Sequence, residues 1–345
     1  MMNDVITLIN KSMRKKIFYA AAAVVLLSAC EGKDVYEQNP DVREKVSLEV
    51  QMSSSETTKV SGAGGDEERQ VSDYQVLVYD MSSRMLEVYA SPDPTASSVT
   101  LKCTAGPKDV VVLANAPDMS GAVSYDAFIA ASSLLADNTA GNLVMEGHTA
   151  CEITSAVNSV TVDIRRIVAK VVLEGVSIDF ESDAYDGMDF VLKSVYLTNV
   201  AADRKYLSTD FKPTLWYNKI VRTSAPEIDG LVFEDLDDVE LQNPDVYEGK
   251  HHFYCYPNPY QEDTFSPTVW SPRPTRLVVE AELGGKLYYY PVSLPALKQN
   301  TRYHVSLRIA RPGATSPEQD MDRYAAAFTI NVEEWEGPEN ITETI

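Results

Sequence analysis

The chain has 345 residues, with 30 Lys and Arg against 51 Asp and Glu, a formal charge of −21 at neutral pH. Such an acidic chain repels nucleic acid and anionic membrane faces, and its acidity reads as solubility rather than as a site. Of four cysteines, one is claimed by the start of the chain; the remaining Cys103, Cys151 and Cys255 are odd in number, which excludes a disulfide scaffold.

The first element is a targeting segment. Arg14, Lys15 and Lys16 precede an apolar run from Ile17 to Leu27. The run is shorter than the about 20 residues a bilayer span needs, and its basic flank fits a secretory signal peptide. It ends in Leu27-Ser28-Ala29-Cys30, the small-small-Cys pattern of a bacterial lipobox, in which a new N-terminal thiol carries a thioether-linked diacylglycerol. Residues 1–29 read as a lipoprotein signal peptide, with Met13 as an alternative start. Residues 30–45 read as an acidic tether and Cys30 as the lipidation site. No other segment reads as a membrane anchor.

"VSLEVQM" follows, with Val46, Leu48, Val50 and Met52 on one side and Ser47, Glu49 and Gln51 on the other, the period of a half-buried strand. Next come Ser, Thr and Gly residues around one cation, Lys59, in a loop suited to proteolysis. Period-two runs then dominate: 74–80, 85–90, 98–104, 109–117, 159–164, 167–178, 190–200, 251–258, 275–283, 286–294, 302–310 and 325–335. A short helix is expected in "SYDAFIAASSLLAD", with Ser124 or Asp126 as N-cap. There is no βαβ alternation, so the expectation is all-β antiparallel sandwiches with minor helix. The boundary falls near 165, giving domains 46–165 and 166–345. The stretch 203–250 reads as an irregular excursion, with the acidic run 234–240 as a solvated loop.

No nucleophile elbow, phosphate loop, zinc-ligand spacing or EF-hand loop appears, and no cofactor or metal is expected. Adjacent His251 and His252 point to opposite faces of a strand and cannot share a metal. Tyr288, Tyr289 and Tyr290 read as sheet cover, with a sugar platform as the alternative. Nothing assembles a catalytic constellation, and the chain is expected not to be an enzyme.

Taken in order, the lipobox at Cys30, "VSLEVQM", the "SETTKVSGAGGDEE" loop, "VSDYQVLVYD", "CTAGPKDVVVLANAP", "IRRIVAKVVLEGVSI" and the closing "LKQNTRYHVSLRIARPGATSPE" and "AAAFTINVEEWEG" resemble the FimA-type major fimbrial subunits, the type V pilins of Bacteroidales. The resemblance implies two tandem transthyretin-like Greek-key β-sandwiches and export as an outer-membrane lipoprotein. It also implies cleavage in the loop after the first strand by a trypsin-like or gingipain-like protease. Here the cut falls between Lys59 and Val60. Lys59 takes the family's Arg position, so the protease must accept Lys; Arg69 is the fallback. The mature form would sit in an extracellular fimbria serving adhesion and biofilm formation.

Loss of the strand would strip the anchor and open an apolar groove with two sheet edges, a template for a neighbouring subunit's strand. Such head-to-tail insertion makes a filament, with other pilin subunits as partners. The candidate donor lies in 324–345, with Phe328, Ile330, Val332 and Trp335 as its apolar residues. The polar tail "EGPENITETI" leaves a tip or accessory subunit as an alternative to a stalk pilin, and a glycan-binding surface lipoprotein as another.

Overall fold

The computed structural model describes residues 44–54, 67–156, 158–185, 187–220, 228–262, 269–322 and 324–335. Cys30, Lys59, Val60 and the tail after Trp335 lie outside the described residues.

The first half of the chain forms β1 (Lys45–Ser54), β2 (Tyr74–Asp80), β3 (Met85–Ala90), β4 (Ser98–Thr104), β5 (Gly106–Ala114), α1 (Tyr125–Ala130), β6 (Ser132–Leu134), β7 (Met145–Ile153) and β8 (Asn158–Arg166). Seven of these strands run in the order β3-β2-β5-β7-β8-β1-β4. β7 and β8 pair only at Met145↔Arg166 and Glu146↔Arg165, so the sheet folds over there into two layers, β3-β2-β5-β7 and β8-β1-β4. Between them lies a core of Leu48, Val50, Val76, Val78, Leu101, Val110, Val112, Val160 and Val162.

The second half forms β9 (Ala169–Ile178), β10 (Phe190–Thr198), β11 (Val200–Ala201), β12 (Asp203–Lys205), β13 (Trp216–Tyr217), β14 (Phe233–Leu241), β15 (Val246–Tyr247), β16 (His251–Cys255), β17 (Arg276–Leu283), β18 (Lys286–Ser293), β19 (Thr301–Ile309) and β20 (Ala326–Glu334). One sheet is β14-β10-β17-β18; the other is β15-β9-β19-β20, with β16 also on β9. Leu173, Leu192, Leu277, Val279, Val305 and Leu307 from these two sheets share one core.

That core extends across to the first half, because β2 and β5 are buried on both faces. Their alternate residues Leu77, Tyr79, Val111 and Leu113 turn away from the first sandwich and belong to the second half's core cluster. α1 covers them: Phe128 lies 5.8 Å from Tyr79 and stacks on Tyr206 from the second half at 5.8 Å. β6 and β12 pair across the same join, where buried Arg204 reaches Glu146 at 2.8 Å. The described residues accordingly fall in one compact unit.

The expectation of an almost all-β chain holds. Several local expectations change. The helix is short and ends at Ala130, capped by Ser124, whose hydroxyl accepts from the Ala127 N–H at 3.1 Å. The next residues pair as β6 instead, since β12 offers a strand edge. The acidic run is not a loop but the edge strand β14. Its carboxylates face solvent, Leu236 and Leu241 are buried, and Asp237 and Asp238 take left-handed backbone angles where the pairing with β10 shifts. Residues from the excursion, Ile220, Ile228 and Phe233, pack on Tyr196 and Val278 and cover the outer face of that sheet. Finally, two pairs are parallel, β1 with β8 and β9 with β19, where only antiparallel neighbours were expected.

Candidate functional site: a clasped first strand and a bare last strand

β1 lies between two partners. It runs antiparallel to β4, with Val46↔Cys103, Leu48↔Leu101 and Val50↔Val99, and parallel to β8, with Leu48↔Asn158, Val50↔Val160 and Met52↔Val162. Leu48 and Val50 are 0% and 2% exposed, and Val46 and Met52 pack on the same core half-buried. All four residues expected in the removable strand therefore share one slot. Burying four such side chains contributes roughly 5–10 kcal/mol, before the ladder bonds on both sides.

β20 carries the same period in opposite surroundings. Its only strand neighbour among the described residues is β19, with Leu307↔Phe328, Val305↔Ile330 and Tyr303↔Val332. Directly opposed residues share a face, so Phe328, Ile330 and Val332 point to the core side, where Tyr303, Val305 and Leu307 are buried. The facing sheet does not reach over them: Phe328 is 48% and Val332 54% exposed, and only Ile330 is partly covered. β20 overhangs its sandwich.

Trp335, grouped with those three by the sequence, is separated from them. It is 1% exposed and seated among charged side chains. Its ring stacks on Tyr254 at 6.0 Å and 9°, and lies 4.6 Å from the Arg166 guanidinium carbon and 5.2 Å from that of Arg302. Glu68, in the 3-10 turn Glu67–Arg69, pairs with Lys170 and accepts from the Tyr254 hydroxyl at 2.6 Å. Burial works to raise the Glu68 pKa, but the bonds from Lys170 and Tyr254 and the charges of Lys170 and Arg302 outweigh it and hold the carboxyl below its usual range. Sequence reading placed Arg166 at the join and missed the rest of this cluster. The signal was a Lys, a Tyr and an Arg on outward strand positions, too common a pattern to single out.

In the first sandwich, the buried Lys108 ammonium lies 2.5 Å from Asp80 and 2.7 Å from Glu87. Burial pushes the Asp80 pKa up, and the hydrogen bonds from Lys108 and Ser83 more than reverse this, holding it at about 2. Cys103, Cys151 and Cys255 are all free. Burial pushes the Cys255 thiol up to about 12, far from a reactive thiolate. The three tyrosines do not form one platform: Tyr288 packs on the main core, Tyr290 is buried in it, and Tyr289 packs on the opposite face. His251 bonds Tyr247 at 2.6 Å and pairs with Glu234, while the exposed His252 sets its ring edge-on to Tyr254 at 5.5 Å.

The described residues thus form a β-sandwich chain with its first strand clasped and its last strand bare. Residues 45–163 match the family described as major fimbrial subunit protein (FimA). The family is one of structural subunits, not enzymes. Among solved structures, a candidate cell adhesion protein from Bacteroides eggerthii is similar over 85% of this chain and 97% of its own, at 15% identity and a TM-score of 0.64. A fimbrilin (FimA) from Porphyromonas gingivalis is similar over 84% of this chain and 98% of its own, at 17% identity and a TM-score of 0.63. A candidate cell adhesion protein from Parabacteroides distasonis matches over 86% of this chain and 100% of its own, at 18% identity and a TM-score of 0.62. At these identities the likeness is one of fold. No curated protein matches the chain in sequence.

Proposed function

We propose that this protein is a structural subunit of a cell-surface fimbria serving adhesion, exported as a lipoprotein through Cys30 and matured by a cut between Lys59 and Val60. The cut releases the anchor together with β1. The vacated slot then receives β20 of a neighbouring subunit, and repetition builds the filament. The observation that carries this reading is the match between the two strands. Ala326, Phe328, Ile330 and Val332 alternate with the same period and number as Val46, Leu48, Val50 and Met52. One set fills a slot, while two of the other, Phe328 and Val332, are bare. The relatives in the FimA family support the fimbrial role itself.

Mass spectrometry of native fibres tests it: the polymerised chain is expected to begin at Val60. Lys59→Ala is expected to leave lipid-anchored monomers, and Cys30→Ala an unacylated, mislocalised chain. Fibres built from chains that retain residues 45–54 would sink the strand-removal mechanism.

A further inference from the structure

The 3-10 turn Glu67–Arg69 and the residue that follows β20, Trp335, meet at one place. Glu68 is 6% exposed and bonds four side chains from four different strands. Its carboxylate pairs with Lys170 of β9, accepts from Tyr254 of β16 at 2.6 Å, and lies 3.6 Å from Arg302 of β19. Its carbonyl accepts from Arg166 of β8, at 3.0 Å from Nε and 2.8 Å from Nη2. The same four side chains wall in Trp335, with the Lys170 ammonium 5.8 Å from the ring and the other three at the distances given above. The Trp335 N–H donates to the Asn300 carbonyl at 2.9 Å. Its indole N–H, however, is buried with no acceptor among the described residues.

We propose that Glu68 is the keystone of a latch on the C-terminal strand: it positions Arg166, Lys170, Tyr254 and Arg302 around Trp335, so the segment after β1 governs whether β20 stays on β19. Three cations crowd one indole ring only because a carboxylate among them supplies the countercharge and fixes the Lys170 and Arg302 rotamers. Without it they repel one another and the walls of the seat move. Among the described residues, β20 has little else to hold it: most of its side chains are exposed, and beyond its one ladder it shares with β19 only the surface pairs of Glu333 with His304 and Arg302. The unpaired indole N–H marks the seat as one that Trp335 can leave, because a buried donor without an acceptor regains a partner on release.

The latch stands on the geometry alone; its consequence for assembly rests on the strand-exchange reading. There, the latch must open before β20 can leave, and the place of the cut matters. Cleavage after Lys59 leaves Glu68 on the mature chain, whereas cleavage after Arg69 removes it.

Hydrogen exchange read by mass spectrometry on the full chain tests the latch. Glu68→Ala is expected to speed exchange of residues 326–335 by about tenfold or more, the effect of losing hydrogen bonds to a buried charge. Trp335→Ala should do at least as much, and the double variant no more than Trp335→Ala alone, with β2 and β5 unchanged. If Glu68→Ala does not fold, Glu68→Gln, which keeps hydrogen-bonding capacity and loses the countercharge, is read in its place. Exchange within about twofold of wild type, effects that multiply in the double variant, or an equal rise in β2 and β5 would each overturn the proposal. The measurement needs no fibre. A latched chain whose fibres retain β1 sinks strand exchange alone; a polymerising chain whose β20 ignores Glu68 sinks the latch alone.

Discussion

β1 and β20 are both strands of alternating apolar and polar residues, and they have opposite fates in the fold. β1 is held on both edges, by β4 and β8, and its Leu48 and Val50 are sealed in a core. β20 is held on one edge, by β19, and its Phe328 and Val332 lie half in solvent. The second sandwich has its own counterpart of β1. β9 sits parallel to β19 and antiparallel to β15 and β16, as β1 sits parallel to β8 and antiparallel to β4. β20 lies on the free edge of β19, where β8 has β7. The difference teaches that a strand's worth to stability depends on what faces it, not on its own alternation.

The largest expected effect comes from placing a charge in each strand. Leu48→Asp puts a carboxylate into the sealed slot and should cost about 4 kcal/mol or more, enough to unfold a marginal domain. Phe328→Asp, on the bare strand, should cost less than about 1 kcal/mol in the monomer. Urea denaturation of the two variants compares them, and equal losses would break the distinction between clasped and bare strands. Under the proposed assembly, Phe328→Asp would nonetheless abolish fibres, which electron microscopy of the cells would reveal.

A smaller effect separates the ion pairs of the two regions. In the first sandwich, the Asp80 carboxyl is held at about 2, below its unfolded value near 4. A depressed folded pKa stabilises the protein above the unfolded value, so this contribution is full above about pH 4 and fades as pH falls toward 2. Asp80→Asn should cost about 2 kcal/mol at neutral pH and flatten the acid limb of the stability curve. In the second sandwich, Arg308 and Asp179 pair at the surface, with both side chains about half exposed. Asp179→Asn should change stability by less than about 1 kcal/mol. Thermal melts from pH 2 to 7 test both, and an acid limb unchanged by Asp80→Asn would show that the Lys108 site is not what acid attacks.

The smallest expected effect is Val332→Ser. It trims an apolar side chain already 54% exposed, so the melting temperature should stay within about 2 °C of wild type. A larger drop would mean that β20 is packed more firmly than its exposure implies.

Much of the fold was legible in the residues. The side-chain period of two located nearly every long strand, because a half-buried strand must alternate. Ser124 announced its helix by the chemistry of an N-cap. The slot residues Val46, Leu48, Val50 and Met52 were legible for the same reason as the strands. β7 and β14 were not: β7 breaks its alternation with Gly147, His148 and Glu152, and the carboxylates of β14 hid a strand whose buried side chains are few and unevenly spaced. Nor was the double burial of β2 and β5, since "YQVLVYD" reads alike whether one face or both are covered.

By itself the sequence determined which side chains share a face, and so the two apolar stripes at either end of the chain. Only the tertiary structure decided that one stripe is sealed and the other bare, that β1 and β8 run parallel, and that Glu68 and Trp335 share a cage although 267 positions apart in number. The reason is that the backbone groups pairing neighbouring strands are the same in nearly every residue. Local sequence therefore orients a strand's faces, while the choice of neighbour is made by the packing of the whole.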